Sequence, residues 1–558
     1  MNQPESSSAA LATNSPFASR APHWLIQLEA RFESLSEYLN PILVKESRQA
    51  LKSKQFVITF TLLLICGWGW SLFGLALLSN GVYFAPSGRF MLAGYVWVLA
   101  FPLTLIVPFA TFRSLASERE DGTYELLSIT TLKPRQVIAG KLGSATLQMI
   151  VYLSALSPSL AFTYLLRGVD ILTILLIIGW AFLASLLLSV FGLLLATLTR
   201  ARHWQVVLSV AFILALFFVF VWISMVTMFG VVLQNTLPYD QPIFWVAQLT
   251  MLSAWAGLFA LIFLAASARI TFISDNRSTK IRICMLICHV GILAWYFYYG
   301  TIEGTVAVMV LFLISSMVYW WVLAAIMVGE RSDLSPRVKR SLPESFLGRV
   351  FLTWFQPGPG TGYFFAISQL IAGAFIEFTV IVYALANSSW RLAGMDWDEI
   401  ATAMIACVCY VIIYVGVSRI LMRWLHPIVT EGPVVSFLLN IVLVALGTIV
   451  PIVIQLSLSR HLANDYISLQ VTNPFWTMVA ALEGKANAPS ISWGSNVIPA
   501  VPIVLIGSAF LVLTINIVLT APEVVRKRVA VPTRVREEDA AAAPPPEIGP
   551  TNPWDQPG

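Results

Sequence analysis

Apolar residues in this chain fall in long unbroken runs separated by short polar connections, a pattern of spans rather than of amphipathic surface helices. Crossing a bilayer takes roughly 20 consecutive apolar residues as helix. Windows of about 19 residues pick out twelve runs of that kind, at 57–78, 91–112, 143–166, 171–198, 204–233, 244–268, 284–302, 305–328, 364–387, 400–421, 434–458 and 497–520. The pattern predicts an all-α polytopic integral membrane protein with about twelve transmembrane helices. Residues 1–22 are polar, with Ser6, Ser7 and Ser8 and no apolar h-region, so a disordered, uncleaved and cytoplasmic N-terminus is expected. The tail 521–558, with Pro544-Pro545-Pro546 in its Pro- and Ala-rich part, is expected to be disordered and cytoplasmic.

Two further segments have pattern without being spans. In 23–56, Trp24, Leu28, Phe32, Leu35 and Leu39 repeat at helical spacing and mark one apolar face. Asn40-Pro41 then reads as a helix cap followed by proline at the first helical position. The helix after it sets Leu43, Ser47, Ala50 and Leu51 against Lys45, Arg48 and Lys52. A basic amphipathic helix beside a span lies in the membrane interface, cations toward headgroups; a solvated juxtamembrane arm has the same composition. The other segment, 459–496, is too long for a tight turn and carries Asn473-Pro474-Phe475-Trp476, which suggests a half-inserted or interface-lying helix on the outer side.

Composition narrows the class. Hydrophobic residues make up 58% and charged residues 11%, against about 25% charged in soluble domains, which excludes a disordered chain, a disulfide-framework secreted domain and an ordinary cytosolic enzyme. All five cysteines, Cys66, Cys284, Cys288, Cys407 and Cys409, lie inside apolar runs and read as packing residues. The net charge of +5 is small, but its distribution is informative. With both termini on one side, 29 of the 34 Lys and Arg share that side, leaving Arg89, Arg167, Arg391, Arg460 and Lys485 on the other. Positive residues collect in cytoplasmic loops, so both ends are expected inside; the membrane expected is a bacterial cytoplasmic (inner) one.

No G-x-x-x-x-G-K-[ST] phosphate loop occurs, so the chain is not expected to be an enzyme that hydrolyses ATP itself. Gly358, Gly360 and Gly362 sit in a Pro-rich loop with no preceding strand and read as a bend. Cys284, Cys288 and His289 with Cys407 and Cys409 have the donor types of a soft-metal site, but 407 and 409 diverge by roughly 200° on a helix, and no metal is expected. Glu377 stands thirteen residues into a span. A carboxylate at that depth marks a transport pathway, or is a locally hydrogen-bonded packing residue.

The loop 113–142 carries the most specific signal. It reads as a helix continuing out of the second span, a turn at Gly122, a short helix from Thr123, and Pro134 opening the helix into the third span. On charge alone it is a solvated face. Its Glu118-Arg119-Glu120-Asp121-Gly122-Thr123, then Glu125-Leu126-Leu127, Lys133-Pro134-Arg135 and Gly140-Lys141, resemble the signature of ABC-2 type transporter permeases. Asn40-Pro41-Ile42-Leu43-Val44-Lys45-Glu46-Ser47-Arg48-Gln49 is similar to that family's N-terminal elbow helix. The resemblance covers residues 40–268 as one six-span unit, 57–268, behind the elbow. It implies that Glu118, Arg119, Glu120, Gly122, Thr123, Glu125, Lys133, Pro134 and Arg135 form the coupling element, and that Asn40, Pro41, Lys45, Glu46 and Arg48 belong to the elbow. It further implies a cytoplasmic ABC ATPase partner holding ATP and Mg, with no cofactor in this chain, and export of an unidentified substrate.

After a linker at 269–283, spans seven to twelve (284–520) fit a diverged second copy of the unit. Glu330-Arg331-Ser332-Asp333 and Leu334-Ser335-Pro336-Arg337 stand where the first half has Glu118-Arg119-Glu120-Asp121 and Leu132-Lys133-Pro134-Arg135. Against a copy, no elbow precedes span seven; a stripe of Phe346, Val350, Phe351 and Trp354 comes later, before span nine. Whether a second permease chain completes the pathway stays open. Membrane lipids are expected partners and nucleic acid is not. The rival readings are an ion-coupled secondary transporter, for which Glu377 is the relevant group, and a non-transporting scaffold or membrane-embedded enzyme working through 459–496.

Overall fold

The computed structural model describes residues 40–524, apart from connections at 79–85, 123–131, 199–201, 234–236, 273–274, 301–305, 331–351, 388–396, 426–431, 460–467, 483–489 and 494–495. Within these, Ser335, Val338, Ser345 and Tyr466 are described, as are 534–535 and 537–538 of the tail. The stripe Trp24 to Leu39, the expected short helix with Thr123 and Glu125, and Phe346, Val350 and Phe351 fall outside the described residues.

The chain is a helical, membrane-embedded polytopic protein. Eleven helices among the described residues are long and apolar enough to cross a membrane, and a shorter apolar stretch, Leu311–Met327, lies where the eighth span is expected. They follow a short helix α1 (Pro41–Leu51) in the order α2 (Lys54–Leu78), α3 (Gly88–Glu120), α4 (Pro134–Leu165), α5 (Ile171–Ala196), α6 (Arg202–Thr227) and α7 (Pro242–Ile270). Then come α8 (Thr279–Tyr298), α9 (Val306–Met327), α10 (Pro359–Asn387), α11 (Trp397–Leu425), α12 (Pro433–Ser459), the short α13 (Pro474–Leu482) and α14 (Ala500–Val524). One antiparallel hairpin precedes α14, with β1 (Ser490–Trp493) paired to β2 (Asn496–Pro499) and Ser490 opposite Pro499. The hairpin takes residues 497–499, which the apolar pattern assigns to the last span; hydropathy alone does not separate an apolar strand from the first turn of an apolar helix.

Two compact units divide the chain, one of residues 1–248 and 262–270, the other of 249–261 and 271–558. In the first, α3 is the central helix, with 67% of its most apolar window buried, where α5 and α6 have 11%. Its core gathers Met91, Leu92, Tyr95, Leu99 and Leu103 of α3 with Met149, Tyr152 and Leu156 of α4. In the second unit the equally buried helix is α11, which packs against α9, α10, α12, α13 and α14. Counting α2–α6 and α8–α12 as helices one to five of each unit, the same pairs touch in both: one with two and three, two with three, four and five, and four with three and five; α14 packs in addition on α10 and α11.

The central helix of the first unit is not a uniform α-helix. Pro102–Ile106 forms a π turn, in which the Val107 N–H reaches back to the Pro102 carbonyl. In that register the Leu103 carbonyl would be served by residue 108, but Pro108 has no N–H to give. The Ser185 hydroxyl of α5 donates to the Leu103 carbonyl instead. Gly192, one side chain away from clashing at 3.1 Å with the Pro108 carbonyl, lets α5 come close enough. Backbone groups freed inside a membrane must be satisfied by neighbouring helices, and here a serine does so.

Candidate functional site

The first unit joins α1, the C-terminal end of α3 and the first turns of α4 at one buried cation. Helix α1 starts as its sequence predicts, with Asn40 Oδ1 accepting the Ile42 N–H at 3.1 Å and Pro41 in the first turn. The Asn40 amide also donates to the Gln136 carbonyl at 2.5 Å, tying the cap to the start of α4. Gly140 and Gly143 of α4 then accept Ile42 and Leu43: a Cβ at Gly140 would stand 2.8 Å from Ile42, and one at Gly143 2.7 Å from Leu43. The apolar face of α1 therefore meets protein along α4, where the sequence reading turned it toward lipid.

This contact places Glu46 beside Lys141. The Lys141 ammonium is 3.0 Å from Glu46 and 3.0 Å from Glu118, with its side chain 1% exposed. It also donates to the Ser114 carbonyl at 3.3 Å. Lys45 approaches Glu118 at 3.8 Å from the exposed side. Two carboxylates on separate helices share one lysine, and α1, α3 and α4 are locked where the loop begins.

The loop residues thus separate into two groups. Glu118 faces inward to Lys141, and Arg119 donates to the Thr197 carbonyl at 2.9 Å, covering the C-terminal end of α5. Asp121, Gly122, Lys133 and Arg135 are exposed, and Glu120 stands 3.8 Å from Arg113 at the rim. Gly122 makes the expected turn with φ of 69°, a conformation that favours glycine. Across the gap, Pro134 opens α4, and the Gln136 side chain accepts the Lys133 N–H at 2.9 Å. Arg48 remains exposed on α1.

The second unit has its own buried cation, Arg282, which sequence reasoning missed. Its guanidinium pairs with Glu330 at 2.6 Å and donates to the carbonyls of Trp354 (2.5 Å) and Gly358 (3.3 Å). Glu330 accepts in addition the Gly358 N–H at 3.0 Å and the Ser278 hydroxyl at 3.1 Å. Gly358, with φ of 151°, makes the bend expected before α10. Glu330 closes the second span of its unit as Glu118 closes that of the first, and each carboxylate is tied to the start of the third span. The cation comes from different places, Lys141 on the third span and Arg282 on the first. The available signal was the position of Arg282, four residues into an apolar helix.

Glu377 is fully buried in α10. Neither carboxylate oxygen accepts a hydrogen bond of normal geometry from a described residue, although Ser316 lies beside it. The Tyr296 hydroxyl takes the Glu377 backbone carbonyl at 3.0 Å. Ser316 Oγ is 3.4 Å from His289 Nε2, and Gly373, one turn before Glu377, leaves room for the imidazole, which a Cβ there would meet at 2.7 Å. Carboxyl, imidazole and hydroxyl from three helices thus form a polar cluster in an apolar core. Among the described residues no group of three His, Cys, Asp or Glu is placed to hold a metal ion.

The segment between α12 and α14 is ordered by side-chain amides. Asn473 caps α13 by accepting the Trp476 N–H at 3.2 Å and donates to Gln470 at 3.1 Å; Gln470 reaches Gln455 of α12 at 2.6 Å. Tyr466 meets the Thr477 hydroxyl at 2.9 Å, and burial raises the Tyr466 phenol above its ordinary range despite that bond. The buried side of α13, Thr477, Ala480 and Ala481, rests on α11, leaving Phe475 and Val479 exposed. Comparison with protein-family models, with curated proteins and with solved structures found no match.

Proposed function

We propose that this chain is the twelve-span permease subunit of an ABC-2 type transporter in a bacterial cytoplasmic membrane, both termini cytoplasmic, exporting a substrate with ATP hydrolysed by a separate subunit. The observation that carries the reading is the Lys141 junction. A loop that receives force from a partner works only if its base does not yield. Pulling Glu118 from Lys141 would strand buried charge, a loss of about 3–5 kcal/mol. Motion of the loop is therefore passed to α1, α3 and α4 together, and the helices can tilt as bodies. Among the described residues of the loop, Glu120, Asp121, Gly122, Lys133 and Arg135 are exposed and would face the ATPase, and ATP and Mg belong to that partner.

The test uses residues outside the junction. Charge reversal at Glu120 and Asp121 together should release a co-expressed ATPase in pull-down and abolish transport, at normal abundance of the membrane subunit. Retention of the ATPase with full transport would reject this loop as the coupling element.

Glu377 favours a second reading, an ion-coupled transporter, because an unsatisfied carboxyl beside His289 and Ser316 has the make-up of an intramembrane proton or cation site. Transport in proteoliposomes that follows an imposed proton or sodium gradient without any ATPase would select it.

A further inference from the structure

Beneath α1 lies a cavity of about 190 Å³, bounded by the first turn of α2 and by α3 and α4. It is smaller than the roughly 300–1,000 Å³ of sites for drug-sized ligands, and suits a compact polar group. Its charge leans positive, with Arg113 and Lys141 against a single carboxylate. The acidic side chain in its wall is Glu46, which Lys141 already neutralises. Arg113, also in the wall, is 3.8 Å from Glu120, beyond hydrogen-bond length, so its planar fork of N–H groups is available to an incoming anion.

The donors continue inward along one face of α4. Lys141, whose N–H groups are already taken by Glu46, Glu118 and Ser114, is followed by Ser144, Gln148 and Tyr152 lining the cavity at steps that stack on a helix, together spanning roughly 16 Å along its axis. The Gln148 amide makes only a 3.5 Å contact to the Ser144 carbonyl of its own helix. The Tyr152 hydroxyl is buried and, though near Thr59, has no hydrogen-bond partner of normal geometry among the described residues. Phe56, Ile106, Ala110 and Ala145 give the wall apolar patches, beside the polar Gln49, Gln55 and Thr111. The occupant that fits is acceptor-rich and anionic at the mouth, with further acceptors on an apolar body deeper in.

We infer that this cavity binds the glycerophosphate headgroup of a membrane phospholipid, its phosphate at Arg113 and its ester carbonyls at Gln148 and Tyr152. The site sits where such a molecule is found, under a basic amphipathic helix that precedes a span. A bound phosphate takes Arg113 from Glu120, so lipid occupancy acts on the rim of the loop as well as on the elbow. The inference needs no ATPase and stands whichever transport reading is right.

Native mass spectrometry of the full chain in mild detergent should show one retained phospholipid per chain. Titration with dihexanoyl phosphatidylglycerol should raise the thermal unfolding temperature. Arg113→Gln should weaken that titration about ten- to hundredfold, the loss of a charge-assisted contact. Tyr152→Phe, which keeps shape and removes one donor, should weaken it about three- to tenfold without lowering the melting point of the lipid-free protein. Free sn-glycerol 3-phosphate, lacking the carbonyls and chains, should stabilise only at concentrations at least about tenfold higher. Equal titrations for wild type and both variants would overturn the proposal, as would the absence of any lipid effect. Glycerol 3-phosphate acting as well as the lipid would also overturn it, since the site would then take a soluble phosphate ester.

Discussion

Lys141 is the residue on which the first unit depends most. Its side chain is 1% exposed and holds carboxylates from two helices, α1 and α3, which Lys45 joins again from the exposed side at 3.8 Å. Lys141→Met should lower stability by about 3 kcal/mol, read from fluorescence-monitored thermal unfolding in detergent, because two largely buried carboxylates lose their shared cation. Adding Glu118→Gln should return part of the loss, since one stranded charge is removed; a double variant no better than the single would show that the pair is not energetically coupled. Glu377 is the opposite case, a buried carboxyl that its neighbours do not satisfy. Glu377→Gln should leave abundance and melting temperature unchanged or higher, because an amide of the same shape is cheaper to bury, while substrate flux in vesicles changes. Unchanged flux would return the residue to a packing role. The charges themselves were plain in the sequence, and Glu46, Glu118 and Gly140-Lys141 all fell inside recognisable strings. Their convergence was not, since Glu46 and Lys141 lie 95 residues apart and no local periodicity links them.

Among the elements, the elbow shows how a small sequence feature sets a packing distance. Glycines at 140 and 143 clear a groove for Ile42 and Leu43. Gly140→Val would place its Cβ against the Ile42 side chain at 2.8 Å and the Leu43 backbone nitrogen at 3.1 Å, and backbone cannot move aside as a side-chain tip can. The cost should be about 1–3 kcal/mol of overpacking, and α1 should lift. A cysteine at Ile42, which is 6% exposed in the intact protein, should then react with a maleimide at least about tenfold faster, and an unchanged rate would show that α1 tolerates the extra bulk. The extent of α1 was legible, because a cap, a proline and an amphipathic face are local signals. Its partner was not: the same apolar face suits lipid or protein, and only the facing glycines decide. The π turn of α3 was equally hidden, for Pro102 and Pro108 announce a disturbance but not that Ser185 repairs it.

At the scale of the whole molecule, the distribution of Lys and Arg makes a prediction about sides. In a background without the five cysteines, single cysteines at Gly168 and Ser490 should react with an impermeant maleimide in intact cells. Those at Asp121 and Ser335 should react only after the membrane is opened; early labelling at 121 would invert the topology. The two units repeat one set of helix contacts, while the most buried helix is the second span of the first and the fourth span of the second. By itself, the sequence determined that the chain is membrane-embedded, roughly where its long apolar helices lie, and which connections carry charge. Those properties follow from hydrophobicity summed over some 20 residues, which no packing partner can override. The tertiary structure alone decided which charges are buried and by what they are held, that Glu118 and Arg119 face inward while Asp121 faces out, and that Arg282 of α8, rather than a lysine placed as Lys141 is in the first unit, secures the second. A buried cation is costly without a counter-charge close by, and the delivery of carboxylates to 3.0 Å from Lys141 and 2.6 Å from Arg282 is a property of helices meeting, not of any stretch of sequence.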